Sequence, residues 1–88
     1  MMIRWLKHAE ENLLEREISR EVVEMTIFSP ELIVPDKIHL NRQVYMRRYF
    51  DELLQNDMLC RVVIEEENGV KLVVTVYKTS QIKRYFKI

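Results

Sequence analysis

Arginine and tyrosine recur in this chain at spacings that suit an anionic partner. Tyr45, Arg47 and Tyr49 alternate in one segment, and Arg61 sits within a second. Thr75, Tyr77 and Thr79 lead into Lys83, Arg84, Tyr85 and Lys87 in a third. The last of these, VKLVVTVYKTSQIKRYFKI over residues 70–88, contains no acid. Guanidinium groups clamp phosphate bidentately, and tyrosine rings stack on bases. Hydroxyls and further cations add backbone contacts that carry no sequence information. The competing reading is a solvated sheet face. Cross-strand tyrosine, threonine and arginine pairs stabilise a sheet by ~0.2–1 kcal/mol each with no ligand present.

Other chemistry is thinly represented. Histidine is the side chain whose ordinary pKa suits proton transfer near neutrality, and His8 lies early in the first helical segment. It is read either as an acid–base candidate or as a helix-end residue bonded to a backbone group or a carboxylate. Arg16 beside Glu15 reads as a salt bridge or a phosphate ligand. His8, His39 and the single Cys60 are too few and too scattered for a zinc site. Cys60 lacks the histidine neighbour that a nucleophile needs. No glycine-rich phosphate loop and no Ser-His-Asp arrangement occurs, so neither a metal nor a cofactor is expected.

At 88 residues, 48% hydrophobic and 32% charged, the chain has the size and composition of one globular domain. No apolar run approaches the ~20 residues of a membrane span, no signal-peptide pattern is seen, and one cysteine makes no internal disulfide. The expectation is a cytoplasmic protein without a membrane partner. The formal net charge of zero conceals segregation. Residues 1–36 carry eight acids and four bases, and residues 37–50 carry four bases and no acid. Residues 51–67 carry six acids against Arg61, and residues 68–88 carry five bases and no acid. Neutrality therefore leaves room for an anionic partner, unless the blocks pair with one another.

These residues need elements to position them. Leu6, Ala9, Leu13 and Leu14 have helical spacing and predict a helix over about Lys7 to Glu17. Ser19 reads as the N-cap of a second helix, with Glu21 in its first turn and a stop at Ser29-Pro30. Leu32 to Val34, next to Pro35, predicts a short or edge strand. Asn41 to Asn56 fits a helix through Met46, Tyr49, Phe50, Leu53 and Leu54, and fits a strand almost as well. Met58 to Glu67 and Val70 to Thr79 alternate as strands around Asn68-Gly69, a two-residue hairpin signal.

His8-Ala9, Glu15-Arg16-Glu17-Ile18-Ser19, the proline turn, RVVIEEE and VVTVYKTSQIKRY together resemble a family of small prokaryotic proteins of unknown function. That family is commonly grouped with the RelE/ParE-like toxins. The resemblance implies an α+β fold of two N-terminal helices packed on a four-stranded antiparallel sheet, in the order α-α-β-β-β-β, as one domain over residues 1–88. It also implies a strand for Arg42 to Phe50. Two positions depart from the family pattern: Glu17 stands where glycine is usual, and Asn12 where arginine is common.

With that strand in place, a period of two predicts that Val44, Met46, Phe50, Cys60, Val62, Ile64, Leu72, Val74 and Val76 face the helices. Tyr45, Arg47, Tyr49, Arg61, Thr75, Tyr77 and Thr79 then share the open face. The resemblance implies metal-independent RNA cleavage there, which needs a base, an acid and cations for the phosphate. His8, Arg61 and Tyr77 are the catalytic candidates. Arg16, Tyr45, Arg47, Tyr49, Thr79, Lys83 and Arg84 are the RNA-binding candidates. RNA and a cognate antitoxin-like protein are the implied partners. The alternatives are a non-catalytic protein-interaction module and an inactive toxin-fold protein.

Overall fold

The computed structural model describes residues 2–86, so Lys87 lies outside the described residues. Strand β1 (Met2–Trp5) leads into helices α1 (Lys7–Glu15) and α2 (Arg20–Phe28). Strands β2 (Leu32–Pro35), β3 (Arg42–Asp51), β4 (Asn56–Glu67) and β5 (Val70–Thr79) follow, and then the one-turn helix α3 (Ile82–Tyr85).

The expected four-stranded antiparallel sheet under two helices is not what forms. The sheet has five strands in the order β1-β5-β4-β3-β2 and is mixed. The extra strand is β1, which pairs in parallel with β5, Met2 opposite Val70 and Trp5 opposite Val73. Four residues are too few to show a period, and their partner lies at the far end of the chain. Nothing local therefore marks them as a strand. The third helix, α3, is equally short and rests on the sheet face opposite α1 and α2.

Local signals fare well. Ser19 Oγ accepts a hydrogen bond from Val22 N at 3.2 Å and caps α2. Asn68 and Gly69 take φ of 51° and 78° between β4 and β5, as a two-residue hairpin turn of this type requires. Arg42 to Phe50 is strand, within β3. Glu17, standing where the family pattern has glycine, takes the left-handed position that ends the first helix. Its φ is 52°, Ile18 N donates to Leu13 O at 3.0 Å, and Glu17 N donates to Leu14 O at 3.4 Å. That is a Schellman cap with glutamate in the position glycine prefers.

The sheet is apolar on both faces. Beneath α1 and α2, Tyr45, Cys60, Val62, Ile64, Val73 and Val76 join Ala9, Ile18, Val23 and Ile27 in one core. On the far face Val44, Met46 and Leu59 form a second core with Ile82, Tyr85 and Phe86 from the C-terminal segment. The expected facing of β3 is thus reversed: its tyrosines go toward the helices, and Val44 and Met46 go away from them. A tyrosine ring is as good a core filler as an aliphatic chain once its hydroxyl is bonded. Tyr45 OH accepts from Lys71 Nζ, and Tyr49 OH donates to Asp51 Oδ2 at 3.0 Å. Between β4 and β5 the register slips: Val63 and Ile64 of β4 pair with Thr75 and Val73 of β5. The bulge leaves Val74 without a partner, so Val73 and Val76 face the helices while Leu72 turns to the far face.

Two buried polar groups fasten the layers. Beyond Val73 the outer edge of β5 has no strand beside it, and α1 takes over. Asn12 Oδ1 accepts from Val76 N at 3.1 Å, and Arg16 Nη1 donates to Val76 O at 3.1 Å. Asp51, 5% exposed, accepts from Lys78 Nζ at 2.8 Å, Leu54 N at 3.0 Å and Tyr49 OH. The same ammonium donates to Glu17 O at 3.0 Å, which ties the end of α1 to β5.

Two outcomes follow from these contacts. Glu17→Gly removes left-handed strain and should raise the unfolding free energy in urea by about 0.5–1 kcal/mol, whereas Glu17→Val should lower it. The Lys78 ammonium, helped by Leu54 N and Tyr49 OH, holds the Asp51 carboxyl at about 2, below the ordinary 3.8. Because the folded value is the lower one, its contribution is complete above pH 4 and is lost as pH falls toward 2. Asp51→Asn should therefore cost about 2–3 kcal/mol at pH 7, a deficit that shrinks to little by pH 2 in denaturant titrations.

Candidate functional site

The strongest gathering of the expected chemistry lies on the far face of the sheet. Arg61 of β4 pairs across the ladder with Tyr77 of β5. Its guanidinium stands 5.1 Å from the Tyr77 ring centre and 4.0 Å from that of Tyr85, brought over by α3. Two tyrosine faces thus flank one cation, an arrangement worth ~0.5–2 kcal/mol per pair depending on desolvation. Arg61 Nε is buried and has no hydrogen-bond partner among the described residues. Arg84 lies 5.5 Å from the Tyr85 ring, and Arg16 reaches round the β5 edge to 5.9 Å from the Tyr77 ring.

Arg61, Tyr77, Arg84 and Tyr85 line one side of an open groove of about 560 Å³. Val34, Val44, Met46 and Val63 supply its apolar wall, and Asp36, Lys37 and Ile38 after β2 supply its rim. The strand ladder makes the floor, because Met46, Arg61 and Tyr77 are cross-strand neighbours on β3, β4 and β5. The groove is large enough for a nucleotide-sized ligand. Its chemistry is that of a holder. Burial is the largest influence on Tyr77 and, with the neighbouring Tyr85, pushes its phenol above the ordinary value despite Arg61. The Ile38 backbone N–H holds the Asp36 carboxyl below its ordinary value. Neither shift moves its group toward neutrality, where a general acid or base works best.

The expected single polar face is divided by the sheet. Arg61, Tyr77 and Arg84 come together, and Arg16 reaches their margin while donating to Val76 O. Tyr45, 4% exposed, and Tyr49, raised well above the ordinary phenol by burial and by Asp51, sit on the helix side. Arg47 is on that side too, donating to Ser29 O at 2.7 Å. His8 is exposed on α1, in the helix layer, away from Arg61 and Tyr77. Thr79 Oγ1 accepts from Gln81 N at 3.0 Å at the entry to α3. Lys83 flanks a neighbouring depression with Arg48, Asp57 and Phe86.

Tyr85 is the residue whose role the sequence concealed. Ile82 and Tyr85 sit three apart in a basic tail, which is the spacing of one helical turn. A single turn is too short for a periodic signal to stand out. Asn12, where the family pattern has arginine, is fully buried and accepts from the β5 backbone.

Residues 5–78 match the model of a family described as a domain of unknown function (DUF4258). The chain belongs to that family. No curated protein and no solved structure matches it. Arg16, Arg61 and Tyr77 fall inside the matched span, whereas Arg84 and Tyr85 lie beyond it. The groove therefore combines a wall from the family domain with a lining from the segment that follows. Among the described residues, no helix is long and apolar enough to cross a membrane, and no group of three or more metal-ligating side chains occurs.

Tyr85→Ala should remove the upper half of the Arg61 stack and part of the far-face core. The expected cost is about 1–2 kcal/mol in urea unfolding, with the β-sheet circular-dichroism spectrum retained in native buffer.

Proposed function

We propose that this chain binds single-stranded RNA in the Arg61–Tyr77–Tyr85 groove and holds it without cutting it. The observation that supports this most directly is the Arg61 guanidinium, close to two tyrosine rings and with its Nε–H unpartnered among the described residues. Cations beside aromatic faces bind phosphate and stack on bases together, the combination that sequence-tolerant single-strand binding requires. Arg84, Arg16 and Lys37 add positive charge around the groove, against Asp36 alone. The resemblance to RelE/ParE-like toxins supports an RNA partner as well. Cleavage is the weaker reading, because His8 stands apart from the groove and the shifts on Tyr77 and Asp36 carry them away from neutrality.

The test is fluorescence anisotropy with a labelled single-stranded RNA of mixed sequence at several salt concentrations, followed by a gel of the RNA after long incubation. Binding should weaken steeply with salt, and the RNA should stay intact. Arg61→Ala should weaken binding about tenfold, and Arg84→Ala should flatten the salt slope by about one phosphate contact. No binding at low salt, or equal binding by Arg61→Ala, would sink the reading. RNA cut by the wild type and spared by Arg61→Ala would replace it with a ribonuclease.

A further inference from the structure

A second surface, on the helix side, has the opposite character. Where α1 turns into α2 against the β3–β4 turn, an apolar hollow of about 470 Å³ opens, and a further hollow of about 240 Å³ continues it between α2 and β3. The two share Ser19, Val22 and Tyr49, so they form one trough. Its walls carry apolar side chains left in water: Leu14 is 85% exposed, Leu53 71% and Met25 54%. Large side chains concentrated on one trough mark an interaction surface more than scattered ones do.

The charges around the trough select the occupant. Its lining includes four acids, Glu17, Glu21, Asp51 and Glu52, and one base, Arg47. Asp51 is neutralised by Lys78, and Arg47 is engaged by Ser29 O. Glu17, Glu21 and Glu52 take part in no ion pair among the described residues. The trough is thus apolar within and negative at the lip, on the sheet face away from the Arg61 groove.

We infer that this trough docks a cationic amphipathic helix from a protein partner. Such a helix places leucine-sized side chains at i, i+3, i+4 and i+7 into the trough, and its flanking lysines or arginines meet the three glutamates. Negative charge at the lip disfavours RNA here, so this surface and the RNA groove are independent.

The experiment uses the full chain and two synthetic peptides of about 14 residues, roughly four helical turns. Both carry the same leucine stripe; one bears lysines on its other faces and the other bears glutamates. Titration calorimetry should show binding of the lysine peptide and at least about tenfold weaker binding of the glutamate peptide. Leu53→Asp, in an exposed turn, should keep the thermal midpoint and the RNA affinity of the wild type while losing about tenfold in peptide affinity. Glu17→Gln combined with Glu52→Gln should weaken the lysine peptide and reduce its salt dependence. Equal binding of both peptides, no binding of the lysine peptide, or a parallel loss of RNA affinity in Leu53→Asp would overturn the inference. So would a dimer in sedimentation that Leu53→Asp dissolves, which would assign the trough to a second copy of this chain.

Discussion

A sheet that is apolar on both faces has to be covered twice, and the rest of this structure follows from how that is done. The central strands β3, β4 and β5 send Tyr45, Cys60, Val62, Ile64 and Val76 to one side and Val44, Met46 and Leu59 to the other. Helices α1 and α2 cover the first side. The second, which Leu32 and Val34 of β2 extend, is left to the one-turn α3 and the residue after it. So small a cover cannot close the whole face, and the uncovered part becomes the groove beside Arg61. The groove is a consequence of incomplete burial as much as a separate feature.

The same constraint explains the polar groups that lie inside. At the β5 edge the backbone of Val76 has no strand beside it, and an unpaired buried amide costs on the order of 1–3 kcal/mol. Asn12 and Arg16 supply the missing acceptor and donor from α1. Two residues further along β5, Asp51 and Lys78 bring together the β3–β4 turn, β5 and the end of α1. A pair this enclosed is costly to break, because one uncompensated charge would remain behind. Both devices connect α1 to β5 and hold the helix layer in one position over the sheet. That placement is also what leaves the acidic trough open between α1, α2 and the β3–β4 turn.

Charge segregation along the chain becomes spatial segregation in the fold, but not block by block. Arg42 pairs with Glu65, Arg48 with Glu31, and Lys71 with Glu66, so part of the basic segments is used on neighbouring acids. Arg61 and Arg84 lie against aromatic rings instead. Glu17, Glu21 and Glu52 gather around apolar side chains on the other face. The surfaces of opposite sign are therefore the remainder after local pairing.

Features that depend on a few neighbouring residues are legible in the amino-acid order. The cap at Ser19, the stop before Pro30, the turn at Asn68-Gly69 and the strands on either side of it rest on backbone preferences that act within one turn or one hairpin. A period of two also groups Arg61 and Tyr77 on one face, but their direct pairing rests on the bulge at Val74, which shifts the register set by the turn by one residue. The rest follows from packing between distant segments. The four residues of β1 became a strand because β5 offered an open edge, and the bulge at Val74 turned Leu72 away from the helices. β3 could present either face until the helices and α3 competed for it, and tyrosines with bonded hydroxyls took the helix side. Tyr85 joined Arg61 by packing across the sheet from a helix too short to be read as one. Each of these depends on a contact between segments distant in sequence, which no local period records.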